Sequence, residues 1–185
     1  MLASASPRRQ ELLRNAGIEF IVQAANIPEI SRPNETPGWF AERMAREKAL
    51  AVRQQRPNDL ILAADTIVVI DGQILGKPSD PQDAARMLRV LSGRKHEVIT
   101  GVCVTAHEKP AATRSEVTSV LMNALSDEDI RSYIATGEPM DKAGAYAIQG
   151  MASRWIPRIE GDYFNVVGLP MALTWQMLKE AGWET

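Results

Sequence analysis

Apolar residues recur with two different periods along this chain. The period of each segment predicts whether it forms a helix or a strand. Apolar positions three or four residues apart predict helices, whereas strict alternation or a short apolar run predicts a strand. The predicted helices cover residues 7 to about 16, 37 to about 55, 81 to about 92, 126 to about 136, and 169–181. The predicted strands cover residues 18–22, 60–70, 73–75, about 96–107, about 112–123, 155–159 and 163–167. This mixture favours an α/β fold.

Local capping and turn signals mark several of these boundaries. Ser6-Pro7, Thr36-Pro37 and Asp80-Pro81 each combine a capping side chain with a proline at the first helical position. Asp71-Gly72 has the composition of a tight turn between two strands. Residues 24–35 contain two prolines and two asparagines, so this segment is expected to form a loop.

Composition narrows the class of protein. The chain has 185 residues, of which 45% are hydrophobic, so one domain over residues 1–185 with a proper core is expected. The net charge of -2 argues against a protein that binds nucleic acid through a basic surface, but it allows a single nucleotide as ligand. The sequence shows no leader and no apolar stretch that could cross a bilayer, which predicts a cytoplasmic location without a membrane partner.

The start of the first helix has the pattern of a phosphate site. Ser6 is the expected cap, and the free N–H groups of the first turn face the same space as Ser4 and Arg8, with Arg9 adjacent. A helix N-terminus with neighbouring hydroxyl and guanidinium groups can hold a phosphate. The alternative is an ordinary capped surface helix with solvated arginines.

Asp65 interrupts an apolar strand, where an ionised carboxylate is costly unless it is paired, hydrogen-bonded or bound to metal. We interpret it as a metal ligand or general base at a strand end; the alternative is a carboxylate satisfied by backbone amides. Lys48 lies on the otherwise apolar face of the second helix. It must extend to water or find an anion, and both Asp65 and a phosphate would serve.

Three further residues carry weaker signals. Lys77 follows Gly76 in a tight segment and could neutralise phosphate charge or polarise a water, although a solvated turn lysine has the same pattern. Glu29 in the first loop is a candidate second metal carboxylate, or an ordinary loop acid. Gln149 ends a run of small residues and offers both a donor and an acceptor for a base edge, unless it caps backbone in a packing corner.

Other polar and aromatic residues are expected to be structural. His96 and His107 have no partner at a metal-ligand spacing, and Cys103 is expected to be an inert buried thiol in an apolar segment. Trp39 is expected on the same apolar face as Phe40.

Eight short segments together resemble the Maf family of nucleoside triphosphate pyrophosphatases. They are Ser4-Ala5-Ser6-Pro7-Arg8-Arg9, Glu47-Lys48-Ala49, Ala64-Asp65-Thr66, Gly76-Lys77-Pro78, Leu91-Ser92-Gly93, Thr100-Gly101-Val102, Lys142-Ala143-Gly144-Ala145-Tyr146 and Val167-Gly168-Leu169-Pro170. The resemblance implies a single α/β domain with a mixed, twisted sheet flanked by helices and a deep cleft, as in inosine triphosphate pyrophosphatases. It also implies hydrolysis of a nucleoside triphosphate to the monophosphate and pyrophosphate, with Mg²⁺ or Mn²⁺ as cofactor.

The resemblance assigns roles to the candidate residues. Asp65 would activate water, and with Glu29 it would hold the metal. The remaining charged and hydroxyl groups would hold phosphates or complete the pocket; they are Ser6, Arg8, Arg9, Lys48 and Lys77. Arg8, Thr66 and Gln149 match the subgroup that acts on dTTP and UTP, whereas the 7-methyl-GTP subgroup differs at all three positions.

Other possibilities stay open at this point. The family name is associated with arrest of cell division, so the chain could be a nucleotide-sensing regulator that inhibits septum formation by binding. Modified pyrimidine triphosphates could be the substrates that matter in the cell, and the protein could form a homodimer. Relatives usually carry more residues before the Leu2-Ala3-Ser4 segment, so the first strand is expected to be nearly absent.

Overall fold

The computed structural model describes residues 1–184, and five strands in it form one sheet in the order β2-β1-β3-β4-β5. The strands are β1 Ile61–Ile70, β2 Gln73–Leu75, β3 Lys95–Thr105, β4 Ala112–Leu121 and β5 Arg158–Glu160. The helices are α1 Pro7–Asn15, α2 Pro37–Arg53, α3 Pro81–Leu91, α4 Asp127–Ala135, α5 Tyr163–Val167 and α6 Met171–Glu180. The α/β class is therefore confirmed. Within residues 1–184, no helix combines the length and apolarity that a bilayer crossing requires.

The predicted helix starts are confirmed, because the expected capping hydrogen bonds are present. The Ser6 hydroxyl accepts the Arg9 N–H at 3.5 Å, with Pro7 as the first helical residue of α1. Thr36 caps α2 through the Trp39 N–H at 3.3 Å. At α3 the Asp80 carboxylate accepts an amide N–H from Asp83 at 2.8 Å. A cap needs only residues within one turn, so the local pattern is sufficient to place it.

Two strand predictions are wrong. Residues 18–22 form no strand; Val22 makes a single parallel bridge to Leu2, which also bridges Leu62 of β1. Residues 163–167 are helical (α5), because Asp162 accepts the Phe164 N–H at 2.7 Å and the buried Asn165 amide donates to the Val98 carbonyl. Alternating apolar residues outside the sheet therefore produced a false strand signal.

Contacts divide the described chain into two compact units, each built from separate segments. The first unit comprises Met1–Thr66, Thr100–Glu116 and the segment from Gly168 onward, and the second comprises Ile67–Ile99 and Val117–Val167. The assignment of residues 1–185 to one domain stays a prediction.

Small residues let α2 approach β3 closely in the first unit. A Cβ on Gly101 would lie 2.3 Å from the Ala41 carbonyl oxygen, so only glycine fits there. The buried face of α2 includes Phe40, whereas Trp39 is 67% exposed, so its predicted place on the apolar face is wrong. Cys103 is buried as expected, and burial raises the pKa of its thiol.

The second unit has its own core around α3, α4 and the strands it contains. Tyr133 of α4 is fully buried and meets the Trp155 ring edge-on at 5.4 Å between centroids. His96 is buried, and its Nε2 lies 2.7 Å from the Tyr146 hydroxyl. This contact supports the structural role predicted for His96, while His107 lies exposed beside Glu108.

Candidate active site

Two carboxylates and one ammonium meet at the centre of the first unit. The buried face of α2 carries Lys48, and β1 carries Asp65. The Lys48 Nζ donates to Asp65 Oδ1 at 2.5 Å and to Glu29 Oε1 at 2.5 Å. The Asp65 side chain is 7% exposed and that of Glu29 is 47% exposed. The predicted Lys48–Asp65 pair is confirmed, and Glu29 lies in the same cluster.

Burial sets the electrostatics of this cluster. Desolvation raises the pKa of Asp65, the Lys48 ammonium opposes this rise, and the Glu29 charge adds to it. The net effect is a raised pKa, which makes the ionised Asp65 carboxylate a stronger base than a solvated aspartate. A carboxylate with these properties at a partly open site can take a proton from water.

A second polar cluster surrounds the guanidinium of Arg9, which is buried. Its Nε donates to the Gly168 carbonyl at 2.8 Å, its Nη1 to the Ser4 hydroxyl at 3.1 Å and its Nη2 to the Thr66 hydroxyl at 2.9 Å. The Thr66 Oγ1 also lies 2.9 Å from Thr100 Oγ1. Arg9 therefore ties the start of α1 to β1 and to the segment that precedes α6.

These bonds bear on the role of Arg9. Three of its N–H groups are engaged inside the first unit, although its fork carries five. Burial lowers the pKa of Arg9, and the neighbouring Asp65 charge opposes that effect. Phosphate binding by Arg9 stays a prediction, whereas its contacts with Thr66 and Gly168 are observed. The Gly168 carbonyl was not predicted as a partner, and only the Val167-Gly168-Leu169-Pro170 motif indicated that this segment is special.

The start of α1 keeps the geometry of an anion site. The Ser6 N–H donates to the Ser4 hydroxyl at 3.2 Å, and Ser6 caps the helix with its own side chain. Arg8 is half-buried in the first turn of the same helix. The predicted phosphate roles of Ser6 and Arg8 stay predictions, supported by this placement at a positive helix end.

Sequence reasoning missed a clamp on the loop that carries Glu29. Arg43 of α2 holds the Glu35 carboxylate at 2.5 and 2.7 Å and donates to the Ile30 carbonyl at 2.9 Å. The same guanidinium also reaches Glu47 at 3.2 Å, one turn along α2. The i,i+4 spacing of Arg43 and Glu47 was the only sequence signal of this network. Arg43 therefore restrains the loop at Ile30 and at Glu35, and Ile30 directly follows Glu29.

Lys77 and Gln149 belong to the second unit, and both are exposed. Their predicted roles toward phosphate and base are not tested by these contacts. The run of small residues before Gln149 has a packing explanation, since a Cβ on Gly144 would lie 2.8 Å from Val68 Cγ2. The Gly144 N–H also donates to the Gly76 carbonyl at 3.0 Å, so the segments of Lys77 and Gly144 are joined.

A divalent metal would find hard oxygen ligands in Asp65 and Glu29. The two carboxylates already share one cation, the Lys48 ammonium, which shows that a positive charge is stable between them. Mg²⁺ typically uses one or two carboxylates together with phosphate oxygens and waters. Within residues 1–184 there is no cluster of three or more acidic, histidine or cysteine side chains arranged for a metal. Asp65 and Glu29 match the number of carboxylates that Mg²⁺ typically takes from a protein.

Comparisons with known proteins identify the family of this chain. The family described as Maf-like protein matches residues 1–181. A dTTP/UTP pyrophosphatase from Koribacter versatilis is 56% identical over 98% of this chain and 94% of its own length. The dTTP/UTP pyrophosphatase of Geobacter sulfurreducens is 52% identical over 98% and 96% of the two chains, and that of Acinetobacter baylyi is 53% identical over 96% and 97%.

Among solved structures, a nucleoside-triphosphatase / dITP/XTP pyrophosphatase from Mycobacterium abscessus matches 65% of this chain and 71% of its own. It is 17% identical, and the TM-score is 0.40. The family match and the identity to these relatives extend over almost the whole sequence. The chain therefore belongs to the Maf-like protein family.

Proposed function

We propose that this protein is a pyrophosphatase that hydrolyses dTTP and UTP to the nucleoside monophosphate and pyrophosphate. The observation that carries the proposal is the buried Asp65 carboxylate, which is paired with Lys48 and has a raised pKa. Relatives named dTTP/UTP pyrophosphatase at 50% identity or more support the substrate class. The presence of Arg8, Thr66 and Gln149 supports the pyrimidine subgroup.

In the proposed reaction, Asp65 accepts a proton from a water as the water oxygen attacks the α-phosphorus. Lys48 orients the Asp65 carboxylate and keeps it ionised before the attack. The bond from the α-phosphorus to the bridging oxygen breaks, and its electrons leave with pyrophosphate. Ser6, Arg8 and Lys77 offset the charge of the phosphates, with any remaining Arg9 donors, because a triphosphate brings about four negative charges.

A divalent ion, Mg²⁺ or Mn²⁺, would be held by Asp65 and Glu29. Such an ion supplies Lewis-acid polarisation of a phosphate oxygen. The chain's own residues provide the base and the phosphate contacts. A cytoplasmic location, a homodimer and a preference for modified pyrimidine nucleotides stay predictions. A buried water-activating acid favours catalysis over pure nucleotide sensing, because sensing does not require one.

The test is pyrophosphate release with Mg²⁺ from dTTP, UTP, CTP, GTP, ATP and 7-methyl-GTP. We expect selective turnover of dTTP and UTP, and a loss of about 10²–10⁴-fold in Asp65→Asn, which keeps the size of the side chain but removes the base. Asp127→Asn is the matched control, since Asp127 pairs with Arg89 at an exposed position of α4. Near-normal turnover by folded Asp65→Asn would refute the assignment of the base.

A further inference from the structure

Gln149 stands in a tight turn of the second unit. The Gly150 N–H donates to the Ala147 carbonyl at 3.1 Å, which closes the turn and leaves Ile148 and Gln149 at its two central positions. The Gln149 side chain is exposed. The backbone of the turn sets where this long side chain leaves the chain, and therefore which positions its amide can reach.

Both flanks of this turn are bound to one pair of side chains. The Tyr133 hydroxyl accepts the Ala147 N–H at 3.2 Å, and Glu138 Oε2 accepts the Met151 N–H at 3.3 Å. Tyr133 in turn donates to Glu138 Oε1 at 2.8 Å. A continuous hydrogen-bonded path thus runs from one side of Gln149 to the other through Tyr133 and Glu138.

The pair that braces the turn is itself held firmly. Tyr133 is fully buried in α4, and burial together with the bond to Glu138 raises the pKa of its hydroxyl. The backbone of Glu138 is fixed on both sides, because its N–H donates to Thr136 Oγ1 at 3.1 Å and its carbonyl accepts Lys142 Nζ at 2.9 Å.

The Glu138 carboxylate occupies the space that a side chain at position 150 would need. A Cβ there would lie 2.0 Å from Glu138 Oε1, closer than any real contact. The carboxylate is therefore packed directly against the turn as well as hydrogen-bonded beside it. This close packing makes the position of the turn sensitive to a small shift of Glu138.

We infer that Tyr133 and Glu138 are positioning residues for base selection, acting through Gln149; this inference rests on the proposed function. Uracil and thymine present an N–H donor beside a carbonyl acceptor, which match the two ends of a carboxamide. Cytosine presents the opposite order at the same two positions, so an amide held in one orientation accepts uracil and rejects cytosine. A turn that is free to move loses this discrimination.

The test compares kcat/KM for UTP with kcat/KM for CTP in Tyr133→Phe, Glu138→Gln and Gln149→Ala. Gln at position 138 keeps one acceptor oxygen, so it loses either the tyrosine bond or the Met151 bond. We expect Gln149→Ala to lower the UTP preference about tenfold or more, and the two bracing variants to lower it about five- to tenfold. Tyr163→Phe and Glu128→Gln, at exposed positions of the same unit, are expected to retain it.

A double variant separates bracing from an independent effect. If Glu138 acts through Gln149, the variant with both Glu138→Gln and Gln149→Ala has the same preference as Gln149→Ala alone. If the two substitutions lower the UTP preference by factors that multiply in the double variant, the inference is overturned. Hydrogen exchange gives a readout besides activity, because Tyr133→Phe removes the acceptor of the Ala147 N–H and this amide is then expected to exchange faster.

The outcomes distinguish this inference from the proposed function. Full UTP preference in both bracing variants and unchanged exchange of the Ala147 amide in Tyr133→Phe, with preference lost in Gln149→Ala, would overturn the inference and leave the function intact. A wild-type protein without UTP preference would refute the proposed function, and the inference with it. Tyr133→Phe keeps the test decisive if Glu138→Gln fails to fold, since it removes only a hydroxyl.

Discussion

Burial changes individual ionisable groups of this protein in opposite directions. Desolvation penalises the charged form, so it raises the pKa of Asp65 and lowers the pKa of His96 to about 4. The difference lies in the neighbours: Asp65 has an ammonium partner, whereas His96 faces the hydroxyl of Tyr146. The same physical effect therefore raises the pKa of a carboxylate in one unit and lowers the pKa of a core imidazole in the other.

At the scale of single residues, we predict that Lys48→Met shifts the acidic limb of the pH–activity profile to higher pH. Asp65 must be ionised to accept a proton, and Lys48 lowers its pKa by charge and by hydrogen bonding. Removing the ammonium takes away both effects and so raises the pKa of Asp65 further. The measurement is kcat/KM for dTTP against pH.

Lys95→Met is the control, because Lys95 forms an exposed pair with Glu160. Its acidic limb is expected to coincide with that of the wild type. An acidic limb of Lys48→Met that stays in place, or moves to lower pH, would contradict a role of Lys48 in setting the base.

At the scale of elements, α2 contributes both to the site and to the loop before it. One face carries Lys48 into the cluster, and Arg43 clamps the loop through Glu35 and the Ile30 carbonyl. The bond to Arg43 lowers the pKa of Glu35 to about 2, so this pair stays ionised at every pH at which the enzyme would work. The helix and the loop therefore place Glu29 beside Lys48 as one assembly.

We predict that Arg43→Met releases this loop and lowers kcat/KM about tenfold, since misplacing one carboxylate of a site by a fraction of an ångström weakens catalysis. The loss should be smaller than in Asp65→Asn, because the base itself remains. Arg46→Met on the same helix is the matched control, as Arg46 is exposed. Activity and thermal unfolding are measured together. Equal activity of the Arg43 and Arg46 variants would show that Glu29 needs no clamp.

For the molecule as a whole, the buried His96 is expected to make the free energy of unfolding depend on pH in the acidic range. Burial lowers the folded-state pKa of His96 to about 4, below the ordinary histidine value of 6.5, so the unfolded chain binds a proton more readily. The stability that this difference provides is complete above pH 6.5 and is lost as the pH falls toward 4.

We predict that wild-type protein loses about 2 kcal/mol more of its unfolding free energy between pH 7 and pH 5 than His96→Gln does. Urea unfolding at the two pH values measures this difference. His107→Gln should behave as wild type, because His107 is exposed. An identical pH dependence in His96→Gln would show that folding does not lower the pKa of His96.

Sequence alone determined features that depend on neighbours along the chain. The caps at Ser6, Thr36 and Asp80 and the turn at Asp71-Gly72 lie where the pattern placed them, because each needs only residues a few positions apart. The family resemblance likewise followed from short motifs in order, and the matching relatives confirm it.

Tertiary structure decided which residues far apart in the sequence contact one another. It turned residues 163–167 into a helix through the buried Asn165 amide, and it tied Arg9 to the Gly168 carbonyl. It also brought Glu29, which the sequence left open between a metal carboxylate and an ordinary loop acid, onto the ammonium that binds Asp65. No local pattern encodes these contacts, because their strength comes from burial and from distances that exist only after the chain has folded.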